Sequence, residues 1–141
     1  MINKFPRAEL DREFSNAKMN FIRELSRSET DLEDIKYRFN KLPRLDGTQF
    51  FPLMKRYQES ELHWKADKLT EDIAHLREIN NKDFDPIIFQ DNSRIIDRLE
   101  NYVQKFQTKE SKLFEKFRIY NDAMLADKKL KKPYFKSYLY L

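Results

Sequence analysis

The amino-acid sequence predicts an all-α fold: an antiparallel bundle of about four to five helices with a long C-terminal helix and a short aromatic tail. Only one of the 141 residues is a glycine, which disfavours sheets joined by tight turns. Aromatic residues make up 14% of the chain, more than a disordered protein would carry in water. The third observation is an apolar repeat with helical spacing in the last third of the sequence.

This repeat lies in residues 92–132, which contain neither proline nor glycine. Its members, here called the seam, follow steps of three and four residues: Ile96, Leu99, Val103, Phe106, Glu110, Leu113, Phe117, Tyr120 and Met124. Glu110 is the polar member. We interpret it as the point where the helix outruns its partner and the seam meets solvent, or as a helix break near residues 107–111. A register-setting polar residue is the alternative.

The N-terminal third carries apolar residues at helical spacing between residues 7 and 41. Pro6 suits the first turn of this helix, where a missing N–H has no cost. Ser26 and Glu29 have the spacing of a capping box, which predicts that a second helix begins there. One continuous helix is the alternative, because the apolar stripe keeps its phase through Ser28.

Two loops divide the rest of the chain. Pro43 and Gly47 mark the first, and Thr48 is the predicted N-cap of the following helix, with Pro52 in its first turn. A second long uninterrupted segment occupies residues 53–82, although its apolar stripe shifts by one residue near Glu61.

In the second loop, Asp85 and Pro86 have the chemistry of an N-cap and a first helical position. The apolar run at residues 87–89 is predicted to form about one turn that plugs the end of the bundle. The long helix is predicted to begin after this turn, capped by Asp91, Asn92 or Ser93. The domain division that follows is a helical bundle over residues 1–132 and a basic, aromatic tail over residues 133–141.

The net charge of +4 is concentrated at the end of the chain. Residues 1–126 are balanced, whereas residues 127–141 contain five lysines and one aspartate. Local positive charge next to aromatic rings is typical of nucleic-acid contacts, and the candidate contacts are Lys128, Lys129, Lys131, Lys132 and Lys136. Packing of the tail on protein is the preferred alternative.

Catalytic and metal-binding signatures are sparse. One glycine excludes glycine-rich phosphate loops, and the absence of cysteine excludes thiolate sites. His63 and His75 are twelve residues apart, about 18 Å along one helix, so they cannot share a metal ion. We therefore expect no catalytic residue, no cofactor and no metal, and an enzyme is disfavoured.

The resulting functional prediction is a non-enzymatic, adaptor-like or regulatory helical module that binds a protein partner or itself. The second half of the long helix and the tail supply the predicted interface: Leu113, Phe114, Phe117, Tyr120, Met124, Phe135, Tyr138, Leu139 and Tyr140. The alternative is a nucleic-acid-binding accessory protein that uses the lysine-rich, aromatic C-terminal segment. No apolar run is long enough for a signal peptide or a transmembrane span, which predicts a cytoplasmic protein.

Overall fold

A computed structural model of the chain describes residues 6–43 and 45–127. These residues form four helices and no strand: α1 (Arg7–Asn40), α2 (Gly47–Ser60), α3 (Leu62–Asn80) and α4 (Pro86–Ala126). The predicted all-helical class is confirmed. Because only Glu61 separates α2 from α3, the architecture amounts to three long helical segments and not clearly to four or five separate helices.

The four helices divide into two compact units. Among the described residues, unit 1 contains 6–27 and 65–106, and unit 2 contains 28–43, 45–64 and 107–127. Both α1 and α4 contribute to each unit, α3 contributes mainly to unit 1, and α2 belongs to unit 2. The predicted boundary between bundle and tail lies outside the described residues.

Helix α1 is continuous from Arg7 to Asn40, so the prediction of a second helix beginning near Ser26 is wrong. The hydroxyl of Ser28 is buried and has no hydrogen-bond partner, which shows that this serine faces the core of unit 2 and does not cap a helix. The apolar stripe keeps its phase through Ser28 and so predicted one continuous helix correctly, whereas the capping-box spacing did not. The stripe shows which face of the helix is buried.

The segment predicted to be uninterrupted over residues 53–82 is broken at Glu61. This residue adopts the left-handed conformation with φ 57°, and its N–H donates to the carbonyl of Gln58. A non-glycine residue in this conformation costs about 1 kcal/mol, so tertiary packing must hold it there. The one-residue shift of the apolar stripe marks this break.

Aspartates cap both later helices. The carboxylate of Asp46 accepts from the backbone N–H of Thr48 at 3.0 Å, so Asp46 is the N-cap of α2 and the prediction of Thr48 is wrong. Pro52 lies inside α2, beyond the first turn where it was predicted. Before α4, Asp85 Oδ1 accepts from the N–H groups of Ile87 at 2.9 Å and Ile88 at 3.3 Å, so Asp85 is an N-cap as predicted. It caps α4 itself, and the prediction that the long helix begins at residues 91–93 is wrong.

In unit 1, α3 runs antiparallel to α1 and to α4. The ion pair Lys65–Glu24 joins the start of α3 to the middle of α1, and Lys82–Glu13 joins the loop after α3 to the first part of α1. Arg77 pairs with Asp97 of α4 at 3.0 Å. The core between these helices is mainly aliphatic and contains Leu10, Phe14, Phe21, Leu25, Ala66, Leu69, Ile73, Leu76, Ile79, Ile96, Leu99, Val103 and Phe106.

In unit 2, α2 runs antiparallel to α1 and to α4. The ring of Phe50 stacks on Tyr120 with centroids 4.5 Å apart, and Phe39 packs edge-to-face on Phe117 at 4.9 Å. The buried apolar residues are Leu32, Ile35, Phe50, Leu53, Met54, Tyr57, Leu62, Leu113, Phe117 and Met124. Unit 2 therefore has a core built around interlocking aromatic rings.

Candidate interaction surfaces

The predicted interface on α4 is largely occupied by the chain itself. Leu113, Phe117 and Met124 are exposed by only 2%, 0% and 5%, because they pack into the core of unit 2. The prediction that these three residues form an exposed face is wrong. Helix α2 covers the stretch, as the 5.1 Å contact between the rings of Tyr57 and Phe117 shows.

Two further members of that predicted interface are half-buried. The Phe114 ring lies 6.3 Å from that of Tyr57. The Tyr120 hydroxyl donates to the carbonyl of Pro43 at 2.8 Å and accepts from the N–H of Asp46 at 2.6 Å, so it fastens the loop before α2. The predicted tail residues lie outside the described part of the chain: Lys128, Lys129, Lys131, Lys132, Phe135, Lys136, Tyr138, Leu139 and Tyr140.

Glu110 is buried, which corrects the interpretation that the seam meets solvent or breaks there. Its exposure is 7%, α4 is unbroken around it, and its Oε2 atom accepts a hydrogen bond from the hydroxyl of Tyr57. Burial, with this hydrogen bond second, raises the pKa of Tyr57 well above its usual value. The pair is a polar contact inside unit 2, as expected of a residue that fixes helix register.

An exposed apolar patch lies where α4 begins in unit 1. We define the apolar patch as Phe84, Ile87 and Phe89, whose exposed fractions are 55%, 71% and 36%. The run at residues 87–89 is the first turn of α4 and not a separate turn, and Ile87 and Phe89 are exposed, so the prediction that this run plugs the bundle is wrong. Phe84 and Phe89 occupy the positions of a hydrophobic staple around the Asp85 cap, but Ile87 has no such role.

Hydrogen bonds hold the backbone beneath this apolar patch. Asp83 Oδ1 accepts from the N–H of Asp85 at 2.9 Å, and Arg7 Nη1 donates to Asp83 Oδ2 at 2.8 Å. The Arg7 guanidinium lowers the pKa of the Asp83 carboxyl below its usual value. On the other side, Asn80 Nδ2 donates to the carbonyl of Phe89 at 3.1 Å. The apolar side chains therefore project from an ordered scaffold.

A second surface of unit 1 is cationic. We define the basic patch as Arg94, Arg98, Tyr102 and Lys105, which follow steps of four, four and three residues and therefore share one face of α4. All four side chains are exposed, Tyr102 by 53%, and Lys105 Nζ lies 5.8 Å from the centre of the Tyr102 ring. The cations were visible in the sequence, but the balanced charge of residues 1–126 concealed their clustering on one face.

Few carboxylates neutralise this basic patch. Asp91 lies 3.8 Å from Arg94, whereas no carboxylate in residues 6–43 and 45–127 forms an ion pair with Arg98 or Lys105. In unit 2, α4 exposes Lys109, which is 3.9 Å from Glu33, and two lysines that no described carboxylate pairs with, Lys112 and Lys116.

A polar groove of about 650 Å³ lies between α1 and α3 in unit 1. Its lining mixes carboxylates, cations and amides. Burial raises the pKa of Asp72 in this groove, while a hydrogen bond from Lys65 lowers the pKa of Glu24. Asp72 and His75 both line it, as their spacing suggests, but no set of three or more histidine, aspartate or glutamate residues in the described ranges is arranged to hold a metal ion.

Comparisons of the chain with protein-family models, with curated proteins and with solved structures found no match. None of the helices in the described part of the chain is long and apolar enough to cross a membrane.

Proposed function

We propose that the chain is a non-enzymatic interaction module that binds a protein partner through the apolar patch. One observation carries this proposal: Ile87 is 71% exposed in the first turn of α4, and Phe84, three residues earlier in the sequence, is 55% exposed. Single exposed apolar residues are ordinary on protein surfaces, but a cluster of them on an ordered element is typical of a contact site.

The local backbone supports this function because it restricts how the patch can move. Asp85 caps α4, Asn80 holds the carbonyl of Phe89, and Arg7 fixes Asp83. Side chains that are already positioned lose less conformational entropy when a partner binds. The patch is small, so its partner would add contacts around it. The interface predicted at Phe114, Tyr120 and the aromatic tail residues stays a separate prediction.

The replacement Ile87→Ser tests the proposal without changing charge. Its matched control is Ile119→Ser, which removes an isoleucine that is 57% exposed on the unit 2 part of α4. Both variants should unfold within about 0.5 kcal/mol of the parent, because neither side chain is part of a core. Circular dichroism during urea unfolding checks this.

Affinity purification from native cells, with nuclease treatment, then identifies proteins that bind the parent chain and Ile119→Ser but not Ile87→Ser. The purified partner should bind Ile87→Ser about tenfold more weakly or worse, as expected for loss of an apolar anchor. Equal binding of both variants to every partner would contradict the assignment of the apolar patch.

A further inference from the structure

The basic patch on α4 combines cations that lack a carboxylate partner with an exposed aromatic ring. Some other cations of unit 1 contact carboxylates of neighbouring helices, as Lys65 contacts Glu24 at 2.8 Å and Arg77 contacts Asp97 at 3.0 Å. Arg98 and Lys105 have no such partner among the described residues. Their charge is therefore available to an anionic ligand.

Tyr102 lies between these two cations on the same face. Its ring is 53% exposed, and the nearby Lys105 ammonium does not cover it completely. Arginine and lysine contact phosphates, and an exposed aromatic ring offers a surface on which a base stacks. The spacing of four residues from Arg98 to Tyr102 and three from Tyr102 to Lys105 places cation, ring and cation along about 10 Å of helix.

We infer that the basic patch binds single-stranded nucleic acid, with Arg98 and Lys105 on phosphates and Tyr102 stacked on a base. Arg94 adds a cation one turn earlier, and its contact with Asp91 is long, at 3.8 Å. The contacts involve phosphates and a ring face, so binding is independent of sequence. None of these four residues belongs to the apolar patch or to the lysine-rich segment that begins at Lys128.

An anionic membrane is the competing ligand, and the shape of the surface disfavours it. A helix that lies on a membrane needs a broad apolar face to insert below the headgroups. In unit 1, α4 instead buries its apolar face, since Ile96, Val103 and Phe106 are each exposed by 3% or less. The outward face is cationic, with one aromatic ring, which matches a nucleic-acid strand better.

Fluorescence anisotropy with the full chain tests the inference, using labelled single-stranded and duplex oligonucleotides of mixed sequence and vesicles containing phosphatidylserine. The double replacement Arg98→Gln, Lys105→Gln should weaken single-strand binding about tenfold at low salt and reduce the slope of log K against log salt by about 1.4. The charge-matched control Lys112→Gln, Lys116→Gln removes two exposed lysines from the unit 2 part of α4. It should have a clearly smaller effect.

The replacement Tyr102→Ala isolates the stacking contact. It should weaken single-strand binding about tenfold while leaving the salt slope unchanged, because no charge is removed. All replaced side chains are exposed, so the variants should keep the parent's unfolding midpoint.

Several results would overturn the inference. These are no single-strand binding by the parent chain at low salt, binding to vesicles only, and equal losses in the two double variants. Duplex affinity equal to single-strand affinity, together with no effect of Tyr102→Ala, would also overturn it. Loss of binding only when Lys128, Lys129, Lys131 and Lys132 are neutralised would place the contact in the lysine-rich segment before the tail and reject the basic patch.

Discussion

Units 1 and 2 share the helices α1 and α4, yet they place their polar groups differently. In unit 2 polar side chains enter the core: Tyr57 is bonded to Glu110, and Ser28 and Asn121 are exposed by 1% and 0%. In unit 1 the polar contacts are mainly ion pairs between helices at the rim of an aliphatic core, such as Lys65–Glu24. Asn80, exposed by 3%, is the buried polar residue of unit 1.

The two units therefore differ in how specifically their cores pack. Buried polar pairs and interlocked rings admit few alternative packings, because each shifted arrangement leaves a polar group without its partner. Unit 2 buries Phe50, Tyr57 and Phe117 in that core, although Tyr37 and Trp64 are exposed by 58% and 61%. Unit 1 is held by aliphatic packing, and it keeps Phe84, Ile87 and Tyr102 exposed at both proposed binding surfaces.

The largest expected effect concerns the aromatic core of unit 2. Replacing Phe117, which is fully buried among Phe39, Phe50 and Tyr57, with alanine should lower the free energy of unfolding by about 3–5 kcal/mol. In unit 1, Leu69→Ala removes a fully buried aliphatic side chain and should cost about 2–5 kcal/mol.

Urea unfolding and hydrogen exchange measure both variants. Phe117→Ala should reduce amide protection chiefly in residues 107–127, and Leu69→Ala chiefly in residues 65–106, if the two units have separate cores. Identical exchange patterns for the two variants would show that the division into units has no energetic meaning.

The next effect concerns the buried pair Tyr57–Glu110. Tyr57→Phe leaves the buried Glu110 side chain without its hydrogen-bond donor and should lower the free energy of unfolding by about 1–3 kcal/mol. Glu110→Leu should lower it by a similar amount, because the Tyr57 hydroxyl then has no acceptor. The double variant should recover most of the loss, because neither polar group then remains. Thermal and urea unfolding of the four chains give the coupling energy.

A surface tyrosine is the control for the double-mutant cycle of Tyr57 and Glu110. Tyr102→Phe, at an exposed position in unit 1, should change stability by less than about 0.5 kcal/mol. Additive losses in the double variant would mean that the two groups do not depend on each other, and the polar pair would then not specify the packing of unit 2.

The sequence predicted the buried faces of the long helices well, because periodicity records which side of a helix is apolar. Ile96, Val103 and Phe106 are all buried, as the first half of the seam requires. The capping chemistry of Asp85 and Pro86 was also predictable, since it needs no tertiary contact, although the long helix was predicted to begin only at residues 91–93.

The errors arise where distant contacts override local signals. Glu110 is polar in the sequence and became a predicted solvent contact, because its partner Tyr57 lies 53 residues away. The break at Glu61 has neither glycine nor proline, and only the shifted stripe indicates it. The second half of the seam is largely buried because α2 packs over it. Periodicity identifies the apolar side of a helix but not the element that packs against it.

The smallest effect concerns the ion pair between Arg7 and Asp83 in unit 1. Asp83 accepts from Arg7, and its side chain is only 2% exposed, so Asp83→Asn should lower stability at pH 7 by about 1 kcal/mol. Arg7 holds the pKa of Asp83 below its usual value. The stabilisation is therefore complete above the unfolded pKa of about 3.9 and disappears as the pH falls through the lower folded pKa.

Urea unfolding at pH 7 and at pH 2 should thus show a difference between parent and Asp83→Asn at the higher pH that shrinks at the lower one. Asp91→Asn is the control, because Asp91 is 63% exposed and its contact with Arg94 is 3.8 Å. It should show almost no difference at either pH, as expected for a surface pair. A penalty for Asp83→Asn that is equal at both pH values would mean that its amide disturbs the turn before α4 and that the charge of Asp83 contributes nothing. The contact between Arg7 and Asp83 would then depend on hydrogen-bond geometry and not on charge.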